Sequence, residues 1–221
     1  MTSPAKTDNR SDARAAKLEL RAHVRELIAP CRVFEAFCGP SALGGMSEAW
    51  AGAELHVGCD QRFAWPDPRQ RYVGDTHRVL RGIDLGRYNI FDLDAYGSPW
   101  TAMLILLARR RWAAGERGAI VLTDGSGMKS KFGMPGRDVV ELLGMRTLPP
   151  QDRADVVHGD CTAAWLARAG VKQLRRWVAV SRTSGQPMVY SAVVFEGTGL
   201  GASASRRDDR QLATATHDLW D

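Results

Sequence analysis

At 221 residues, with 44% hydrophobic and 25% charged residues, the chain has the balance of an ordinary globular protein with room for a full core. Thirty basic against 25 acidic residues leave a net charge of +5, and arginine runs such as Arg109-Arg110-Arg111 and Arg175-Arg176 favour a polyanionic partner. The first residues hold no apolar signal region and no apolar run approaches membrane-span length, so the expectation is a cytoplasmic protein without a membrane partner. Cys31, Cys38, Cys59 and Cys161 form no C-x-x-C pair, which argues against zinc and against a disulfide framework.

In chain order, residues 1–12 are polar and read as a disordered tail. Residues 13–28 place Leu18, Leu20, Val24, Leu27 and Ile28 at near-helical spacing, giving an amphipathic helix that Pro30 stops. Arg32 to Phe37 is a buried strand, and Gly39-Pro40-Ser41 turns into a helix over 41–52 with Ser41 as its N-cap. A second strand, Glu54 to Cys59, ends at Asp60, and a short third, Arg71 to Gly74, ends at Asp75. Thr76 to Leu85 is helical or irregular. The next strand, Tyr88 to Phe91, runs into Asp92-Leu93-Asp94-Ala95-Tyr96-Gly97-Ser98-Pro99-Trp100. Pro99 to Ala114 reads as a helix with Met103, Leu104, Leu106 and Leu107 inward, and Gly118 to Thr123 as a continuous apolar strand.

This alternation of strand and helix predicts a parallel sheet covered on both faces. Val171 to Ser181 and Pro187 to Glu196, joined by residues 182–186, give a hairpin signal, so the sheet finishes with an antiparallel strand. One domain over 13–197 follows, with a flexible tail over 198–221.

The chemistry concentrates at the strand ends. Acids at the carboxyl ends of buried strands are costly unless they hold something, and open parallel sheets bind ligands there. The first turn, Glu35 to Ser41, lacks the G-x-G-x-x-G that a pyrophosphate wants. Glu35 instead suits an ammonium group, Asp60 lies about twenty residues beyond Gly39 as an acid for ribose hydroxyls should, and Asp75 can accept from an adenine amino group. Together these describe S-adenosylmethionine. Asp94 and Tyr96 then suit a planar amine, the acid accepting its N–H protons and the ring stacking on its face. Asp92 is also readable as a brace for the turn, and Trp100 as packing. The five histidines show no triad or ligand spacing.

The segments Glu35 to Ser41, His56 to Gln61, Tyr72 to Asp75 and Phe91 to Pro99 resemble the class I S-adenosylmethionine-dependent methyltransferases. The run Asp92 to Pro99 is most similar to the D-L-D-P-[FY]-G-[ST]-P segment of the tRNA guanine-N2 dimethyltransferases, with Ala95 where that family has proline. The resemblance implies a Rossmann-like methyltransferase fold: an α/β architecture with a mostly parallel sheet, a terminal antiparallel strand and helices on both faces. It places Glu35, Phe37 and Gly39 along the methionine part of the cofactor, Asp60 at ribose and Asp75 at adenine. Their neighbours Ser41, Gln61, Thr76 and Asp92 complete the cofactor set, and Asp94 and Tyr96 face the target amine.

The implied activity is N-methylation of an exocyclic base amine in RNA or DNA. Ser98 and Pro99 line the substrate side. Lys129, Lys131 and Arg137 are candidate phosphate contacts on or beside the glycine-rich 124–136 segment, which reads equally as a lid or as an ordinary surface loop, and the Arg109–Arg111 cluster is a further candidate. Alternatives are a methyltransferase of a small molecule or protein, and a cofactor-binding module without turnover.

Overall fold

The computed structural model describes residues 11–39, 46–61, 70–95, 97–126, 135–145, 154–181 and 188–199. Ser41, Tyr96, Lys129 and Lys131 lie outside the described residues, as do the start of the helix expected from 41, most of the 124–136 segment, the turn at 182–186, and residues 1–10 and 200–221.

The elements run α1 (Ser11–Leu27), β1 (Arg32–Ala36), β2 (Leu55–Asp60), β3 (Gln70–Val73), α2 (Thr76–Gly82), β4 (Ile90–Leu93), α3 (Trp100–Arg109), β5 (Arg117–Asp124), α4 (Arg137–Leu143), α5 (Ala154–Ala169), β6 (Val171–Ser181) and β7 (Met188–Gly197), with 3-10 turns at Met46–Trp50 and Leu85–Arg87. The seven strands form one sheet in the order β3-β2-β1-β4-β5-β7-β6. Strands β1 to β5 are parallel, and β7 lies antiparallel between β5 and β6, leaving β6 at the margin. The chain reverses its order along the sheet between β1 and β4, where Glu35 and Asp92 are register partners. That switch point is where an open parallel sheet forms its ligand crevice.

The pleat separates two cores. Phe34, Phe91, Leu93, Ile120, Leu122 and Phe195 pack on one face against α2, α3, α4 and α5. Val33, Ile90, Ala119, Val121, Ala192 and Val194 pack on the other against Ala13, Leu20 and Val24 of α1 and against Trp50. Burying a side chain the size of Phe91 contributes about 1.5–3 kcal/mol, so a sheet buried on both sides supplies most of the drive to fold.

The structure departs from sequence expectation in several places. The described part of the helix expected over 41–52 is the 3-10 turn Met46–Trp50, and β4 is shifted to Ile90–Leu93, so that Asp92 lies inside the strand. Helix α3 ends at Arg109 rather than Ala114, because Arg110 turns extended and the chain drives Trp112 into the core edge-on to Phe91 and Phe195. Arg110 follows it inward, stacking 3.9 Å from the Trp112 ring and pairing with Glu116. Of the three arginines read as phosphate contacts, the middle one therefore belongs to the interior. Sequence reasoning also assigns no element between the glycine-rich segment and Val171, where α4 and α5 stand. The buried positions of α5 (Ala154, Val157, His158, Cys161, Thr162, Trp165 and Leu166) follow the helical period, a signal its glycine, two aspartates and threonine obscure.

Gly197 closes the end of β7 against the segment that carries Trp112. Its N–H donates to Glu116 O at 2.8 Å and its carbonyl accepts from Gly115 at 2.9 Å. A Cβ there would collide with the backbone carbonyl of Ala113. Gly197→Ala should cost about 1–3 kcal/mol, read as a lowered unfolding midpoint in urea with an unchanged slope.

Candidate active site

Helix α1 reaches the crevice through two residues that sit on its buried stripe with Ala13, Leu20, Val24 and Ile28. Arg21 donates from Nε to Asp92 Oδ2 and from Nη2 to Asp92 Oδ1, both at 2.7 Å. The side chains are 1% and 0% exposed. Trp50 Nε1 donates to Asp92 Oδ2 at 2.8 Å, so three donors hold that carboxylate. One turn earlier, Lys17 Nζ donates to Asp94 Oδ1 at 2.7 Å, and Arg21 Nη2 lies 3.8 Å from Asp94 Oδ2. Further ties dock the helix on the 46–50 turn: Arg14 pairs with Glu48, and Arg25 Nη1 donates to Ala49 O at 2.8 Å.

Asp92 in β4 and Asp94 just past its end are tuned in opposite directions. Burial pushes the Asp92 carboxyl up, against the pull of Arg21, while the fork geometry is that of a guanidinium–carboxylate pair. Burial pushes Asp94 up as well, but Lys17 and Arg21 together outweigh it and hold the carboxyl below its ordinary range. For Arg21, burial works against its charge, yet Asp92 and Asp94 prevail and its pKa is raised.

Glu35 shares this side of the sheet. Ser47 Oγ donates to its Oε2 at 2.9 Å, and His56 Nε2 sits 2.7 Å from the same oxygen. At the ends of β1 and β2, Phe37 and Gly39 both take the left-handed conformation at φ 59°. That is routine for glycine and costly for phenylalanine. Gly39 N–H donates to Asp60 Oδ2 at 3.2 Å, and a Cβ on Gly39 would meet nothing within 4 Å among the described residues. The Phe37 ring stands edge-on to His77 at 5.7 Å, and His77 Nε2 is buried with no partner among the described residues. Asp75 caps α2, accepting from Arg78 N at 2.8 Å and from Gln61 Nε2 at 3.2 Å, whereas Thr76 is buried with its Oγ1 3.5 Å from Cys59 Sγ.

Across the crevice, Ser98 Oγ donates to Asp138 Oδ2 at 2.7 Å and Thr101 Oγ1 to the same oxygen at 3.2 Å, tying the 97–101 turn to the start of α4. Pro99 occupies the N-cap position of α3. Arg137 is exposed at the first residue of α4. Gly125 N–H donates to Gly97 O at 2.9 Å, so the glycine-rich segment leaves β5 against this turn. Behind it, Asp124 Oδ2 accepts from Trp100 Nε1 at 3.0 Å and lies 3.0 Å from His158 Nδ1, whose Nε2 is 2.7 Å from Ser191 Oγ. The order acid–histidine–serine is that of a hydrolytic triad. His158 and Ser191 are 0% and 1% exposed, so the network is a brace between α5, β5 and β7 rather than a site.

The structure thus gathers Glu35, Asp92 and Asp94 on the α1 side of the crevice and sets Asp60 beside Gly39 at the end of β2. Asp75 and Gln61 form a separate pair past β3. Sequence reasoning missed Lys17, Arg21, Ser47, Trp50 and His56. For Lys17 and Arg21 the signal was present: two cations four apart on an otherwise apolar stripe require acidic partners.

No protein-family model and no curated protein matches the chain in sequence. Solved structures do match in shape. Trm1 from Pyrococcus horikoshii, in complex with S-adenosyl-L-methionine, aligns at TM-score 0.50 and 15% identity over 85% of this chain and 57% of that one. TYW2 from M. jannaschii, in complex with AdoMet, aligns at 0.49 and 9% over 87% and 78%. N-methyltransferase NodS from Bradyrhizobium japonicum WM9 aligns at 0.48 and 10% over 84% and 96%. The chain therefore spans 57% of the length of the Trm1 structure. The first of these likenesses establishes the fold: a Rossmann-like class I methyltransferase sheet, mostly parallel with one antiparallel strand and helices around it. No helix among the described residues is long and apolar enough to cross a membrane.

Replacing Arg21 by methionine leaves Asp92 buried without its counter-charge and should cost about 3–5 kcal/mol. Arg21→Met combined with Asp92→Leu should regain most of that loss in chemical denaturation. The Asp75 cap gives a pH-dependent counterpart. The Arg78 N–H, then the positive charge of nearby groups and Gln61, hold its carboxyl below the ordinary value. Its contribution is thus complete above the unfolded carboxyl's pKa and lost as pH falls through the lower folded one. Asp75→Ala should cost about 0.5–2 kcal/mol at neutral pH, and the two proteins' melting temperatures should converge in acid.

Proposed function

We propose that the protein is a cytoplasmic S-adenosylmethionine-dependent N-methyltransferase whose substrate is an exocyclic base amine in nucleic acid, RNA or DNA, with residues 13–197 forming its methyltransferase domain. The observation that carries this reading is Asp94. It stands just past the carboxyl end of β4, at the switch point of a methyltransferase fold, 17% exposed and held as a carboxylate by Lys17. It precedes a glycine-serine turn where a Cβ on Gly97 would meet no atom within 4 Å among the described residues.

The residues around the crevice fit the cofactor. The close approach of Gly39 to the Asp60 carboxylate, and the His77 Nε2 next to Phe37 that has no partner among the described residues, support an acceptor for ribose hydroxyls and a polar atom for a heterocycle. We assign Glu35, Phe37, Gly39, Ser41, Asp60, Gln61, Asp75, Thr76 and Asp92 to its binding, Asp92 through the braced wall it forms with Arg21. The bound cofactor supplies an electrophilic methyl group on a sulfonium.

The chain's own part is alignment and exclusion of water. An exocyclic amine is a weak nucleophile because its lone pair is delocalised into the ring. A carboxylate accepting its N–H draws the nitrogen toward tetrahedral geometry, and Asp94 has lone pairs to spare for this after binding Lys17. Tyr96 stacks on the base, and Ser98 and Pro99 shape the edge of the slot. Arg137, Lys129 and Lys131 meet phosphates. Exposed Arg137 next to the Ser98–Asp138 bond supports that side as the strand's path.

Incubation with labelled cofactor and mixed tRNA or DNA should transfer label to the polymer, and Asp94→Ala should reduce transfer by about a hundredfold or more. Polymer binding should weaken steeply with salt. Transfer to small molecules or proteins alone, insensitive to salt, would overturn the nucleic-acid assignment. Cofactor binding by calorimetry without transfer to any pool would overturn the enzymatic one.

A further inference from the structure

Among the described residues Lys17 is the nearest cation to the proposed acceptor carboxylate, yet it arrives from the amino-terminal helix, outside every segment that resembles the methyltransferases. Its ammonium donates to Asp94 Oδ1 at 2.7 Å and stands 5.5 Å from the centre of the Tyr190 ring, with the two ion-paired side chains only 13% and 17% exposed. Around Asp94 the charges form pairs. Arg21 of α1 answers Asp92 of β4. Glu35 of β1 is met by Ser47 and His56, Lys17 answers Asp94 itself, and Thr123 of β5 helps hold the Asp94 carboxyl below its ordinary range.

We infer that Lys17 determines the class of amine the site accepts: by supplying the counter-charge of Asp94 it admits an uncharged, conjugated amine and turns away an alkylammonium. The identity of the site rests on the methyl-transfer reading above; the ion pair does not. A protonated alkylamine such as a lysine or polyamine would bring a second cation to a carboxylate whose charge is already answered, within a few ångströms of the first. It would also have to lose a proton before it held a lone pair. A carboxyl kept in its ionised form by Lys17 is a poor base for that task. A conjugated amine enters neutral, offers N–H donors and asks of Asp94 only that it accept them. The acid that orients such an amine is unsuited to deprotonating an ammonium, and Lys17 makes it so.

The test has one arm without cofactor. Carbon-detected NMR titration of the free protein, with the Asp94 carboxyl assigned through Asp94→Asn, should place its midpoint at higher pH in Lys17→Met than in the native protein, and Lys17→Arg should restore it. An unchanged midpoint in Lys17→Met overturns the inference even if methyl transfer proceeds. In the second arm, labelled cofactor is offered with tRNA, DNA, spermidine and a lysine-containing peptide together. The native protein should label a base amine, and Lys17→Met should lower the ratio of base to alkylamine labelling by roughly tenfold. A native preference for spermidine or peptide overturns the inference. Label on none of the four acceptors, with the NMR midpoint displaced as expected, sinks the methyl-transfer reading and the acceptor assignment with it while leaving the ion pair standing.

Discussion

A guanidinium with no access to water, forked onto a carboxylate with none either, joins α1 to β4. Neither group tolerates the interior without the other, because each alone would carry the full cost of desolvation. The pair therefore fixes the helix on the sheet to within a hydrogen-bond length. That placement seats the apolar stripe of α1 over Val33, Ile90, Val121 and Val194, brings Trp50 onto Asp92, and sets Lys17, one turn away, over Asp94. A wall of the crevice is thus built by an element remote in sequence from the strand ends that form its floor.

Two aspartates separated by one leucine come to different ends. Both point to the α1 side because residues two apart in a strand share a face. The inner one, level with Glu35 in the ladder, is sealed and serves as an anchor. The outer one lies past the last ladder pair, keeps some contact with solvent, and is held ionised by a flexible ammonium rather than a rigid fork. Depth along the strand, not residue type, separates anchor from candidate acceptor.

The opposite wall has its own polar brace. Asp124, at the end of β5, gathers Trp100, Ser126 and His158, and His158 carries the chain of bonds to Ser191 on β7. Together with the bonds from Ser98 and Thr101 to Asp138, this holds the turn after Asp94 in place from behind. Satisfied buried networks of this kind rigidify their surroundings, which suits the alignment role proposed for this site.

The strands were legible because a sheet buried on both faces writes itself as short continuous apolar runs; their alternation with helices foretold the parallel order, and two β-rich runs joined by a short turn foretold the antiparallel hairpin. Of the acids read at successive strand ends, Glu35, Asp92 and Asp94 stand together on the α1 side, Asp60 lies beside Gly39, and Asp75 caps α2. Helix α3 was overextended, since nothing in Arg110-Arg111-Trp112 announces that the ring will leave the helix for the core. Helix α5 was missed, since its polar residues hid a periodic stripe. Local pattern determined the elements and the row of acids, because hydrophobic periodicity acts between near neighbours. Only the tertiary structure decided which acid is anchored and which is offered, because the partners that settle it stand 71 and 77 residues away along the chain.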